Sequence, residues 1–342
     1  MSRQVRIGLS IAISVVFLAF AVRGVKWDQA LEALRHAHYV WVLPMFFITP
    51  YTLFIRAQRW RILLRPLGKP AMRTLVDATN IGFMANMVLP LRMGEVIRPV
   101  LLSRKENEPL GGILATIVLE RIFDIFIILL LFGVSTSAVK FFGLATGGAG
   151  VSGRVMTWGS YLLFVAMLLA AGVILVRWQE KLALRLLHLV LRPFPESVAE
   201  PINHFFEGFV KALDILDSPI TFLQLSAWSL YLWLVISAIY FCGIIAFDLP
   251  VPLLSGSIVV TAIVAIAVSA PSAPGYIGAF QLGCTLSLAI FAVEESNAFA
   301  YSIVLHVTQF LGVVAAGVYS LWSGGMSLRQ LEEVSETDGA AA

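Results

Sequence analysis

Three ionisable side chains stand where lipid should be. Glu120, Arg121 and Asp124 fall inside the apolar run 111–134. Measured from Gly111, Glu120 lies about 14 Å along a helix axis, close to the middle of a hydrocarbon core about 30 Å thick. Charge at that depth needs partners or a function. Arg121 and Asp124 are i,i+3 neighbours, and Glu120 and Asp124 are i,i+4. One reading is a self-neutralising cluster in which Arg121 bridges the carboxylates and docks the helix. The other leaves Glu120 without a local cation and turns it toward a second polar set: Asn80, Asn86, Arg92, Glu95 and Arg98. Glu95 and Arg98 are themselves i,i+3 and pair on any helix that begins there. Arg92, Arg98, Arg104 and Lys105 also form a basic funnel, and guanidinium forks suit phosphate oxygens and anionic lipid headgroups. Arg104 and Lys105 read as ordinary cytoplasmic decoration, whereas Arg92 and Arg98 flank a break in the chain.

That break runs from Pro90 to Gly94 and has a counterpart 181 residues later, from Pro271 to Gly275. A breaker at membrane depth leaves backbone groups that lipid cannot satisfy. Two such breaks in corresponding places point to a transporter-type site near the midplane. The second break is nearly uncharged, with Ser272, Pro274, Gly275, Tyr276, Gly278 and Gln281, so its work is close backbone approach and neutral hydrogen bonding.

Apolar runs that could position these residues cover 7–22, 39–56, 111–134, 157–177, 221–247 and 299–322. Two shorter pairs lie between them, 72–89 with 95–103 and 254–270 with 276–292. The expected architecture is an all-α polytopic membrane protein, a single transmembrane domain over 1–342. It has about six full spans plus two re-entrant helical hairpins. An offset of 181 superposes span, hairpin and span, giving repeat one at about 39–134 and repeat two at about 220–322. Residues 178–216 read as an amphipathic cytoplasmic connector. Lysine and arginine set the orientation: 18 fall in segments assigned to the cytoplasm and 5 outside. Both termini are therefore expected in the cytoplasm, at the cytoplasmic (inner) membrane, and the two repeats are inverted. Arg3 and Arg6 precede an uncleaved first helix, with signal cleavage near Ala19–Ala21 as the alternative.

Composition agrees. The chain is 59% hydrophobic and 13% charged, against about 25% charged in soluble domains. Cys242 and Cys284 lack metal or redox spacing. Arg56, Arg59, Arg61 and Arg65 around Trp60 read as an interfacial helix end with snorkelling arginines, headgroup contact being the alternative. His306 and Gln309, i,i+3 on the last span, read as a hydrogen-bonded bundle histidine, with a proton relay as the alternative. No Walker loop, nucleotide fingerprint or metal motif occurs. No catalytic residue, metal or cofactor is expected, nor any nucleic acid partner.

The run Asn86–Arg98, the set Glu120-Arg121-Ile122-Phe123-Asp124, the later Pro271–Gln281 and the pair Arg59-Trp60 together resemble the flippase-like transmembrane domain of lysylphosphatidylglycerol synthases. In two-part members of that family a cytoplasmic synthase domain aminoacylates phosphatidylglycerol and the membrane domain moves the product across the bilayer. Other relatives are linked to archaeal glycolipid and bacterial hopanoid pathways. A stand-alone member ending at Ala342 would lack the synthase domain. Many members carry Glu where this chain has Gln281, so a titrating role there is not implied.

The resemblance implies a lipid translocator whose partner is an anionic or headgroup-modified membrane lipid. Arg92 and Arg98 would bind phosphate, and Glu95, Glu120 and Asp124 would balance those arginines or meet a cationic group. Arg121 would hold the cluster, and Gly94, Pro274, Gly275, Gly278 and Gln281 would shape the turns. Two alternatives stand beside it. One is an intramembrane transferase on a lipid-linked substrate, with Glu95, Glu120 or Asp124 as general base. The other is a non-transporting partner of a separate lipid-modifying enzyme. A homo-oligomer fits any of the three.

Overall fold

The computed structural model describes residues 3–89, 92–141 and 218–324 apart from Pro271, with parts of 161–206. Pro90 and Pro271, most of the expected span at 157–177, about half of the connector and the tail beyond Gly324 lie outside the described residues. Every regular element among the described residues is helical. In chain order these are α1 (Arg3–Val22), α2 (Trp27–His36), α3 (Val42–Leu63), α4 (Met72–Val88), α5 (Gly94–Glu106), α6 (Leu110–Phe141), α7 (Glu180–Leu191), α8 (Pro219–Ala246), α9 (Leu253–Ser269), α10 (Ala279–Ala289) and α11 (Glu295–Gly324). Among the described residues three segments are long and apolar enough to cross a membrane: Tyr39–Leu63, Pro219–Ala246 and Glu295–Gly324. Ile11–Val22 and Leu253–Ser269 are shorter apolar helices. α6, at 32 residues, carries Glu120, Arg121 and Asp124 in its interior.

Local sequence explains several boundaries. Ser218 caps α8, its side chain accepting from the Thr221 N–H at 3.3 Å, and Pro219 sits in the first turn where its missing N–H costs nothing. α5 ends at Asn107, whose left-handed φ of 56° suits an asparagine. Pro50 inside α3 frees the Phe46 carbonyl, and Gly312 of α11 lies close against it. Between the apolar runs 7–22 and 39–56 the chain forms α2. Asp28 in its first turn and Arg35 and His36 in its last complement the helix dipole. Ala30 is buried, and Trp27 meets Phe299 edge-on at 5.8 Å.

The helices pack in matched pairs. α4 folds back on α5, and α9 on α10; α3 touches α4 as α8 touches α9; α5 touches α6 as α10 touches α11. α4 packs on α11 as α9 packs on α6. Exchanging α3, α4, α5 and α6 for α8, α9, α10 and α11 leaves this set of contacts unchanged. Adding 181 to the bounds of α4 gives those of α9.

Inter-helix bonds gather at two ends of the bundle. At one, the Lys26 N–H donates to Ser296 Oγ at 3.0 Å, Lys26 Nζ lies 3.6 Å from Glu294, and the His38 N–H donates to the Ala246 carbonyl at 2.7 Å. At the other, Arg73 donates to the Ser323 carbonyl at 3.2 Å and Arg65 to Gln224 at 3.1 Å. Between them the turns of the two hairpins meet. Arg92 Nη2 donates to the carbonyls of Val268 and Ala270, and its guanidinium lies 5.5 Å from the Tyr276 ring centre. The Ala273 N–H donates to Ser14 Oγ, midway along α1, at 2.5 Å.

Candidate functional site

α3 and α6 build the charged centre. Arg59 is fully buried and grips Asp124 with both Nη atoms, Nη2 at 3.1 Å from Oδ2. The same Nη2 lies 3.0 Å from Glu120 Oε1. Arg98, from α5, makes the second fork on Glu120 at 3.1 and 3.3 Å. Its guanidinium lies 3.9 Å over Trp60, whose Nε1 donates to Thr116 at 2.9 Å. Trp233 of α8 donates to Asp124 Oδ1 at 3.0 Å. Planar forks on carboxylates suit such a site, because an unpaired charge buried here is strongly destabilising.

Arg56 and Arg121 are held more loosely. Arg56 Nη1 lies 3.9 Å from Asp124, and its guanidinium sits between Phe83 at 4.8 Å and Trp233 at 5.9 Å. That Nη1 is buried and has no hydrogen-bond partner. Arg121 approaches Glu120 at 3.9 Å and Asp124 at 3.7 Å, with its side chain 40% exposed.

A cavity of about 270 Å³ opens against this cluster. Arg56, Arg92, Glu95, Arg121 and Asp124 line it on the side of the first half. Thr261, Tyr240, Phe280, His306 and Gln309 line it on the side of the second. Around it stand five guanidiniums, of Arg56, Arg59, Arg92, Arg98 and Arg121, against three carboxylates, of Glu95, Glu120 and Asp124. That surplus of positive charge, inside low-dielectric walls, attracts an anion.

The expected site residues separate into three groups. Arg92, Glu95, Arg121 and Asp124 face the cavity. Arg98 and Glu120 pair behind it, so neither the Glu95–Arg98 pair nor a Glu120 lacking a cation occurs; Glu120 has Arg98 and Arg59. Pro274, Gly275, Gly278 and Gln281 brace it from the second turn. Gly275 and Gly278 take φ of 69° and 84°, the left-handed region open to glycine, and Gly94 lets α5 press on the Gly82 carbonyl of α4. The Gly278 N–H donates to Gln281 Oε1 at 2.8 Å. The Gln281 amide nitrogen therefore faces His306 Nδ1, at 2.8 Å. His306 Nε2 in turn donates to the Gly275 carbonyl at 2.6 Å. This fixes His306 as a neutral brace of the turn.

Several cavity and cluster residues fall outside the sequence expectation. Arg56 and Arg59, read as snorkelling at an interface, are buried at 8% and 0% exposure because the carboxylates of α6 face them. The sequence signal for them was the i,i+4 pair Glu120 and Asp124, which requires cations from a neighbouring helix. Trp233 carried no signal of its own.

Known proteins bear on this architecture in three ways. The family described as Lysylphosphatidylglycerol synthase TM region matches residues 7–317. The Glycosyltransferase AglD of Haloferax volcanii is 26% identical over 356 residues, which cover 98% of this chain and 57% of that protein. The chain thus spans little more than half the length of that relative. No solved structure matches. Since the family match runs through both hairpins and the ion-pair cluster between them, the chain belongs to the family of the lysylphosphatidylglycerol synthase TM region.

Proposed function

We propose that this membrane protein acts on lipid, as a translocator that carries an anionic or modified headgroup through the cavity between its hairpins. The observation that carries the reading is Arg56. Its buried Nη1 has no hydrogen-bond partner and lines a cavity whose surroundings hold more guanidiniums than carboxylates. Family membership supports a lipid-related role.

In this reading both hairpins are re-entrant and enter from opposite faces. Their turns meet, while their bases lie at opposite ends of the bundle. α5 and α10, with 13 and 11 residues, span only about 20 and 16 Å, short of a core about 30 Å thick. The exchangeable contacts support a repeat over about 39–134 and 220–322; in this reading it is inverted and sits within about six full spans, with both termini cytoplasmic. Lipid tails stay in the bilayer while the headgroup passes Arg56, Arg92 and Arg121. Proteoliposomes with fluorescent anionic lipids test it: protein should raise the fraction of headgroups accessible from outside. Equal accessibility with and without protein, across several anionic lipids, would sink the reading.

A second reading is an intramembrane transferase acting on a lipid-linked substrate. It is favoured by the name of the AglD relative and by Glu95, a cavity carboxylate placed to act as a base. Product formed from a lipid acceptor by the purified protein would promote it over translocation.

A further inference from the structure

The cavity is chemically graded. Its charged groups all come from the first half: Arg56 on α3, Arg92 and Glu95 beside the first turn, Arg121 and Asp124 on α6. Asp124 is already gripped by Arg59, which leaves Glu95 facing three guanidiniums. Going along α3, the lining changes from Arg56 to Thr52 and Thr49, which are i−4 and i−7 on one face. Arg56 and Thr49 are therefore about 10 Å apart along the axis.

At this far end the polar groups are neutral. Thr49, Thr52 and Thr261 each donate their hydroxyl hydrogen to a backbone carbonyl of their own helix, at 2.9, 2.7 and 2.7 Å. Each hydroxyl oxygen keeps acceptor capacity toward the cavity. Gln309 supplies the complementary group: its Nε2 is buried beside the Tyr240 hydroxyl and makes no hydrogen bond of ordinary length. Phe280, stacked with His306 at 4.7 Å and with Tyr240 at 6.4 Å, adds an apolar wall. Acceptors and an amide donor beside an apolar wall are the chemistry that recognises a hydroxylated, uncharged group. No carboxylate among the cavity-lining residues stands at this end. An ammonium group would meet the excess of guanidiniums at the other end, and like charges repel most in a low dielectric.

We infer that the cavity takes a phosphodiester lipid whose headgroup ends in a neutral polyol or glycosyl group, and rejects an aminoacylated, cationic headgroup. The phosphate lies at Arg56 and Arg121, and the hydroxyls reach Thr49, Thr261 and Gln309. This rests on the translocator reading for its transport assay but not for its binding assay.

Four lipids with identical acyl chains test it in proteoliposomes: phosphatidylglycerol, phosphatidic acid, lysylphosphatidylglycerol and a monohexosyl diacylglycerol lacking phosphate. Phosphatidylglycerol should move fastest and the lysyl form at least about tenfold more slowly. Gln309→Leu, and separately Thr261→Val, should lower the ratio of phosphatidylglycerol to phosphatidic acid rates roughly three- to tenfold, the worth of one neutral hydrogen bond. Melting temperatures confirm that each variant is folded. Equal rates for the lysyl lipid, or for the lipid without phosphate, overturn the inference, as does an unchanged ratio in both folded variants. Soluble glycerol phosphate, added as competitor, should not slow transport; inhibition matching that by lipid would make a free organic phosphate the ligand. If no lipid moves, the translocator reading fails. Retention in native mass spectrometry then decides the headgroup: selective retention of phosphatidylglycerol upholds it, and equal retention of the lysyl form overturns it.

Discussion

Arg59 holds two carboxylates at once, and its loss should be felt in stability. Arg59→Ala would leave Asp124 without its fork and Glu120 with Arg98 as its one close partner. Removing one member of a buried pair costs about 3–5 kcal/mol, so thermal unfolding in mild detergent should fall well below the native protein. A variant as stable as the parent would show that the pair is not structural. Arg56 should behave in the opposite way. It touches Asp124 only at 3.9 Å and rests on Phe83 and Trp233, so Arg56→Gln should lose about 1–2 kcal/mol of packing and cation–π energy. Lipid transport should nevertheless fall more than tenfold; a folded Arg56→Gln protein with native transport would remove this side chain from the lipid path. The sequence could not separate the two arginines. Position along α3 tells how near a residue is to a helix end, whereas the deciding partner of Arg59, Asp124, lies 65 residues away.

At the scale of the helix, proline and glycine made the hairpins legible. α4 and α9, at 72–88 and 253–269, lie within about a residue of the apolar runs that end at the two breaks, because a breaker marks a boundary regardless of tertiary context. α2 was not legible. Its ten residues mix charge with Trp27 and Leu31, and most of its apolar area stays exposed, so no run marked it. The closeness of α4 and α5 was visible only as a glycine. In the structure a Cβ on Gly94 would collide with the Gly82 carbonyl. Backbone cannot move aside as a flexible side chain does, so Gly94→Ala should destabilise by about 1–3 kcal/mol and loosen the wall that holds Glu95. Unfolding in detergent checks this; a Gly94→Ala variant melting with the parent would mean that α4 and α5 are not pressed together there.

Across the whole molecule, the two ends of the bundle should face different compartments. Lys26 lies at one end, bonded toward Ser296 and Glu294; Lys69 lies between α3 and α4, beside the other. Cys242 and Cys284 are both buried, so a membrane-impermeant maleimide should report introduced cysteines with little background. Lys26→Cys should label in intact cells and Lys69→Cys only after lysis; labelling of both from outside would contradict opposed faces. One contact also has a consequence for biosynthesis. Arg92 reaches carbonyls of Val268 and Ala270 that lie 176 and 178 residues downstream. At 5–20 residues per second, those acceptors are made roughly 10–35 s after the arginine. Until then Arg92 sits among lipid or translocation machinery without them, and the carbonyls at the end of α9 have no donor unless the first half is already waiting. The bonds that tie the two hairpins together through Arg92 therefore form only once the second half is made, and the ribosome sets the interval before they can.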